Sequence, residues 1–319
     1  MLVVSRRLTV DSLGCTLSPA TDNWPLTTDN WFSMPELPEV ESVVRSLART
    51  VLGDTIESVW LGSKPEPLKS PAAEIERILR HARIAAVRRM GKHIVVDLER
   101  ARAKGKHRQL SGKVLRAKKH SAQFIVHLGM TGQLLVSRPD QEIEKHTHLI
   151  AHLASGRELR FVDPRRFGRL AVHTRNGFET GGIEPLDVGF EIFVNLFHSR
   201  KTPIKSALLN QNLLRGVGNI YADESLFRAG VRPRRRAASL TRDELRRLYD
   251  AVQQVLTQAI AAGGSSVSDY VNAEGEKGFF QFEHRVYGRE GEPCLTCRTS
   301  IKRVVIAGRS SHYCPRCQK

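Results

Sequence analysis

Pro35 and Glu36, inside the run Met34-Pro35-Glu36-Leu37-Pro38-Glu39-Val40-Glu41, are the two neighbouring residues best suited to covalent chemistry in this sequence. A chain translated from Met34 and trimmed of its methionine would present Pro35 as a free secondary amine beside a carboxylate. An α-amine of pKa ~8 is unprotonated in on the order of a tenth of molecules at pH 7, against under about a thousandth for a lysine at ~10.4. Such an amine is the readier nucleophile, and Glu36 stands next to it to move protons. The ordinary alternatives are a helix-entry proline and an acidic residue favoured near a helix N-terminus. With residues 1–33 attached, the Pro35 nitrogen is an inert amide.

Cys294-x2-Cys297 and Cys314-x2-Cys317 enclose sixteen residues, a spacing that fits a four-thiolate zinc site. Four thiolates leave no open position for substrate, so one structural Zn2+ is expected. Ile301 to Ile306, a turn at Ala307-Gly308, and Arg309 to Tyr313 read as a hairpin that gathers the thiolates. Arg309 is then a fixed cation near its tip, or an ordinary exposed arginine. Gly216-Val217-Gly218-Asn219-Ile220-Tyr221-Ala222 reads as a glycine turn opening a helix, whose free amides and dipole suit a DNA phosphate. Lys205 could add a phosphate contact, although a lone lysine is usually solvated surface. Asp163-Pro164-Arg165-Arg166-Phe167-Gly168 sets cations and an aromatic at a strand-to-loop junction. Phe167 is either core or a wedge between bases with Arg165 filling a displaced nucleotide's space, and Met130 is either core filler or a second wedge.

The elements that position these groups follow from periodicity. Val40, Val43, Val44, Leu47 and Val51 recur at helical spacing up to Gly53, so a helix follows the Pro-Glu pair directly. Strands are expected at 55–61, 84–89, 93–98, 122–127 and 159–162, with a short helix at 71–81 capped by Ser70. Many strands with few helices imply an antiparallel sandwich or barrel up to about Thr174. Helices follow at 203–211 with Thr202 as cap, at 219–229 stopped by Gly230, and at 241–262 with Thr241 and Glu244 spaced as a capping box. The charged stretch from Glu99 to His120 reads as a basic surface insertion.

Fifty Lys and Arg against thirty-three Asp and Glu give +17, the signature of a polyanion binder. No window approaches the ~20 apolar residues of a membrane span, so nucleic acid is favoured over membrane. Four of the five cysteines lie in the two pairs, which suggests a metal site in a reducing cytosol. The first 33 residues give no targeting signal and read as disordered or as translated upstream sequence, so the expected first residue of the working chain is Pro35.

MPELPEVE, RRMGKHIVV, HLGMTGQL, DPRRFGRL, GVGNIYADE and the four-cysteine hairpin together resemble the bacterial formamidopyrimidine-DNA glycosylase family, in order from Met34 to Lys319. The resemblance implies an α+β multidomain chain. Residues 34–175 would form a catalytic β-sandwich with flanking helices and the insertion at 99–120. Residues 176–280 would form a helix-two-turn-helix domain, and 281–319 a zinc-finger hairpin. It also implies a bifunctional glycosylase and AP lyase of base excision repair, acting on 8-oxoguanine and formamidopyrimidines in double-stranded DNA as a cytoplasmic monomer. By the same resemblance Pro35 is the nucleophile and Glu36 the proton mover, Glu39 lines the lesion pocket, and Lys92 contacts the nucleotide and its phosphates. Asn219 and Arg309 would grip flanking phosphates, while Met130, Arg165 and Phe167 would fill the void and wedge the opposite strand. Residues 265–278 resemble the loop that covers 8-oxoguanine, with Ser268 where some members carry a basic residue. Leu37 favours this purine branch over an endonuclease VIII-like enzyme for oxidised pyrimidines, which typically has Gly there. A noncatalytic binder of damaged DNA is the third reading, if residues 1–33 are retained.

Overall fold

The structure is a computed structural model and describes residues 34–100, 121–174, 177–267 and 269–319. The segment before Met34, most of the basic insertion and Ser268 lie outside the described residues. Helix α1 (Leu37–Val51) opens the fold and buries Val40, Val43, Val44, Leu47 and Val51 along one stripe. Strand β1 (Ile56–Leu61) and helix α2 (Ala72–Leu79) follow, then β2 (Ala82–Met90), β3 (His93–Arg100), β4 (Ser121–His127), β5 (Gln133–Ser137), β6 (Thr147–Leu153), β7 (Glu158–Val162) and β8 (Arg169–His173). They make two antiparallel four-stranded sheets, ordered β1-β6-β7-β5 and β2-β3-β4-β8. Val96, Phe124, Val126, Leu149, Phe161 and Leu170 fill the core beneath α1 and α2.

Strands β5, β6 and β8 are absent from the sequence reading. β6 is a central strand buried on both faces, so its sequence THLIAHL lacks the two-residue alternation that marks a half-exposed strand. Glu99 and Arg100, read as the start of the insertion, instead complete β3 and pair with β2. Ser70 does not cap α2. Its hydroxyl accepts the Val172 N–H at 3.1 Å, tying α2's entry to β8, and Pro71 occupies the cap position.

The helical lobe comprises α3 (Phe190–Phe197), α4 (Ile204–Leu208), α5 (Asn219–Ala229) and α6 (Arg242–Ala261). The expected capping box of α6 is present: Thr241 Oγ1 accepts the Glu244 N–H and Glu244 accepts the Thr241 N–H. Gly230 ends α5 at φ 71°, a left-handed conformation that suits glycine. Thr202 does not cap α4, because Pro203 holds that place. Hairpin β9 (Lys302–Ile306) and β10 (Arg309–Tyr313) closes the chain through a two-residue turn with Ala307 and Gly308 both at positive φ. Leu37 of α1 packs in the helical core, while Tyr270 and Ala273 from the loop after α6 pack in the sandwich core. Each lobe therefore plants apolar residues in the other.

Candidate active site

Pro35 is buried one residue ahead of the helix cap, and the proline inside the first turn of α1 is Pro38. Helix entry therefore does not account for Pro35. Glu36 caps α1 from its N-terminal side, yet its carboxyl also reaches the start of α5, where the Ile220 N–H donates to Oε1 at 3.2 Å. Gly218 permits this approach, since a Cβ there would lie 2.1 Å from the Glu36 carboxyl carbon. One amide of the glycine turn is thus taken inside the protein: the Ile220 N–H serves the Glu36 carboxyl at the positive end of α5. Glu36 Oε2 is buried with no hydrogen-bond partner among the described residues. Burial pushes the Glu36 carboxyl up to about 7, with Lys92 opposing and Glu39 reinforcing the shift.

Glu39 is held from three sides. Its Oε2 accepts the Glu36 N–H at 2.8 Å, and its Oε1 accepts the Ser265 N–H at 2.7 Å and the Tyr221 hydroxyl. Burial raises its pKa while these donors pull it down. The Ser265 contact brings the loop after α6 to the same point. Farther along, that loop docks on the sandwich: the Val136 N–H donates to the Ala273 carbonyl at 2.8 Å, and the Ala273 N–H to Ser46 Oγ at 3.0 Å.

Lys92 sits half-buried at the β2–β3 turn. Burial lowers its pKa, Glu36 raises it, and Arg309 lowers it further, so these three side chains share one electrostatic neighbourhood. The turn is clamped by Glu184, a residue that sequence reasoning missed. Glu184 Oε1 accepts the Gly91 N–H at 2.8 Å and Arg215 Nε at 2.9 Å, and its Oε2 accepts Arg89 at 2.5 Å. Glu184 lies in an irregular segment before α3, where no periodicity marks it. Asn219 opens α5; its Nδ2 donates to Ser310 Oγ at 3.5 Å, and its buried Oδ1 has no partner among the described residues. Lys205 is a correction. Its side chain is 1% exposed, with the ammonium 2.7 Å from Asp223 and donating to the Ser310 carbonyl at 2.6 Å, so it offers no exposed charge to a phosphate.

Met130, Arg165 and Phe167 form a second group on the β4–β5 and β7–β8 connections, each partly exposed. Phe167 is therefore not a core residue, and the Arg165 guanidinium lies 4.8 Å from its ring centre. Buried Asp163 shapes both connections at once: Oδ2 accepts the Gly168 N–H at 2.7 Å and Oδ1 accepts Thr131 Oγ1 at 2.6 Å. An aspartate heading a turn is the signal that could have marked it. Gly129 (φ 68°) presses against this loop, where a Cβ would meet the Gly168 nitrogen at 2.6 Å. The two connections are thereby fixed to each other.

The four cysteines place one Sγ each within 4.8 Å of the others, with Cys294–Cys317 at 3.9 Å and Cys297–Cys314 at 3.4 Å. A tetrahedral zinc with Zn–S of ~2.3 Å requires S···S of ~3.8 Å, so the donors fit that ion. They hold a structural zinc.

Three family models match the chain. The formamidopyrimidine-DNA glycosylase N-terminal domain covers residues 34–170, the formamidopyrimidine-DNA glycosylase H2TH domain 182–271, and the zinc finger found in FPG and IleRS 291–319. A formamidopyrimidine-DNA glycosylase of Solibacter usitatus is 45% identical over 295 residues, covering 90% of this chain and 100% of the relative. One from Desulfitobacterium hafniense is 42% identical, covering 89% and 100%. Among solved structures, the MutM (FPG) protein of Thermus thermophilus superposes with a TM-score of 0.73 at 39% identity, covering 89% of this chain and 98% of that one. A Lactococcus lactis FPG mutant in complex with Fapy-dG-containing DNA gives 0.78 at 29% identity, covering 89% and 100%. Fold, finger and site together define a DNA-binding glycosylase of base excision repair. The chain belongs to the formamidopyrimidine-DNA glycosylase family.

Proposed function

We propose that the chain works from a free Pro35 amine as a bifunctional glycosylase and AP lyase on oxidised purines in double-stranded DNA. The observation that carries this reading is the Glu36 carboxyl: buried, poised near neutrality, with one oxygen that has no partner among the described residues, and adjacent to Pro35. The Pro35 nitrogen attacks C1′ of a flipped nucleotide, the C1′–N9 bond breaks, and the base leaves with a proton. Glu36 protonates the ring oxygen as the sugar opens, leaving a cationic iminium between the Pro35 nitrogen and C1′. Loss of a C2′ proton then expels the 3′ phosphate, and a second elimination expels the 5′ phosphate. Lys92, Asn219 and Arg309 grip phosphates beside the lesion, and Glu39 with the loop from Ser265 lines the base pocket. Met130, Arg165 and Phe167 occupy the space the nucleotide vacates.

The match of the N-terminal family model from residue 34, and relatives matched along their whole length by about nine-tenths of this chain, support Pro35 as the working terminus. One chain supplies every site residue, which supports a monomer; cytoplasmic action on the nucleoid follows from the repair role. The proposed division is a catalytic lobe at 34–175, a helical lobe at 176–280 and a finger at 281–319. The test compares chains beginning at Pro35 and at Met1 on 8-oxoguanine and thymine glycol duplexes. The proposal expects strand cleavage by the Pro35 chain alone and preference for 8-oxoguanine. Equal cleavage by both chains would sink the amine's role, and a thymine glycol preference would sink the purine assignment.

A further inference from the structure

The buried pair Lys205–Asp223 meets the finger hairpin along one line. The two-residue turn makes Ile306–Arg309 and Val304–Ser311 the hydrogen-bonded pairs of the β9–β10 ladder, so in the alternate pairs, Val305–Ser310 and Arg303–His312, the backbone groups of Ser310 and His312 face away from β9. Those two outward groups are the ones the pair takes. Lys205 Nζ donates to the Ser310 carbonyl at 2.6 Å, and Asp223 Oδ2 accepts the His312 N–H at 2.9 Å. Donor and acceptor, 2.7 Å apart on α4 and α5, thus replace a third strand at the free edge of β10. Both side chains are essentially unexposed. Asp223's neighbour Glu224 accepts the N–H groups of Arg285, Val286 and Tyr287, anchoring the segment that leads into the finger. The finger's own core contains four buried residues, Val286, Cys294, Ile301 and Cys314, too few to fix its direction alone.

We propose that Lys205 and Asp223 are positioning residues for Arg309: as a strand-like edge they set the height and direction of β10, and so place the guanidinium over the Lys92–Glu36 neighbourhood. Their service is to the hairpin backbone and not to DNA. The inference rests on the proposed phosphate grip of Arg309, and the test separates the two.

The experiment uses the zinc-loaded full chain and a duplex carrying an uncleavable tetrahydrofuran abasic site. Arg309→Ala tests the grip itself; an unchanged Kd would overturn that reading. The double variant Lys205→Met/Asp223→Leu removes both charges together, which avoids leaving one ion buried and unpaired. It is expected to keep one zinc per chain while weakening DNA binding about tenfold, the loss of one charged hydrogen bond. Added to Arg309→Ala, it should weaken binding little further. Fully multiplicative losses would show that the pair acts independently of Arg309 and overturn the inference. Should the double variant fail to fold, amide exchange on the unmodified chain decides: the His312 N–H should be strongly protected despite lying on the hairpin's outer edge, and rapid exchange there would overturn the proposal.

Discussion

At the residue scale, Glu36 combines three conditions that rarely coincide: burial, a raised pKa and an oxygen with no hydrogen-bond partner among the described residues. Between the ordinary value of 4.5 and about 7, the folded protein holds a proton that the unfolded chain has released. The stability from that proton is complete below the unfolded pKa and is lost as pH rises through the folded one. Glu36→Gln, permanently neutral, should therefore melt higher than the parent by on the order of 1–3 kcal/mol near pH 8, and match it near pH 4. Thermal melts at both values check this, and a variant destabilised at the higher pH would contradict it. The same substitution should remove a group titrating near neutrality from the pH profile of strand cleavage. Glu184 makes a different prediction. Replacing it with Ala leaves Arg89, whose side chain is 9% exposed, with Glu41 as its remaining carboxylate partner, and takes the acceptor from the Gly91 N–H that holds the Lys92 turn. Denaturant melts should show a loss of about 1–3 kcal/mol, from the charge-assisted hydrogen bonds removed. These two residues were unequally legible. Glu36 stands in a recognisable run, whereas Glu184 acts only through partners on β2 and beyond α3, a relation no local pattern carries.

At the element scale, legibility followed local chemistry. Helix α6 announces itself through a capping box and α5 through its glycine stop, because a helix end must satisfy its own orphan amides and carbonyls nearby. The hairpin was readable for a similar reason, since its turn and its cysteine pairs are short-range signals. Strands β5, β6 and β8 were not. Their positions depend on neighbours far along the chain, and β6 is buried on both faces. The caps assigned to Ser70 and Thr202 failed because prolines took the cap positions, and Ser70's hydroxyl went to β8. Lys205 failed similarly, its partner Asp223 lying on another helix. For the finger, a four-residue core implies that the metal supplies most of its folding energy. Chelation should therefore abolish DNA binding while the far-ultraviolet helical signal, dominated by α1, α5 and α6, persists. Loss of both together would show that the finger is not a separate cooperative unit.

At the scale of the whole molecule, each lobe seats residues in the other: Leu37 in the helical core, Tyr270 and Ala273 in the sandwich core. The proposed reacting pair lies where the lobes meet, with Glu36 joined to α5 and Glu39 to the loop after α6. The full chain carries a net charge of +17. Affinity for a duplex should fall with salt, by a slope of about −0.9 for each phosphate neutralised. Lys92→Ala and Arg309→Ala should each shallow that slope by about one such unit, while Phe167→Ala should lower affinity for lesion DNA without changing it. A slope unmoved by the Arg309 change would remove its phosphate contact.

The central claim is that the Pro35 nitrogen forms the covalent bond to DNA. Borohydride reduction during reaction with an 8-oxoguanine duplex, followed by peptide mapping of the adduct by mass, tests it directly. The chain beginning at Pro35 is expected to trap one DNA remnant on its N-terminal peptide, at Pro35 itself. An adduct on Lys92 or another lysine, or none with that chain, would contradict the account.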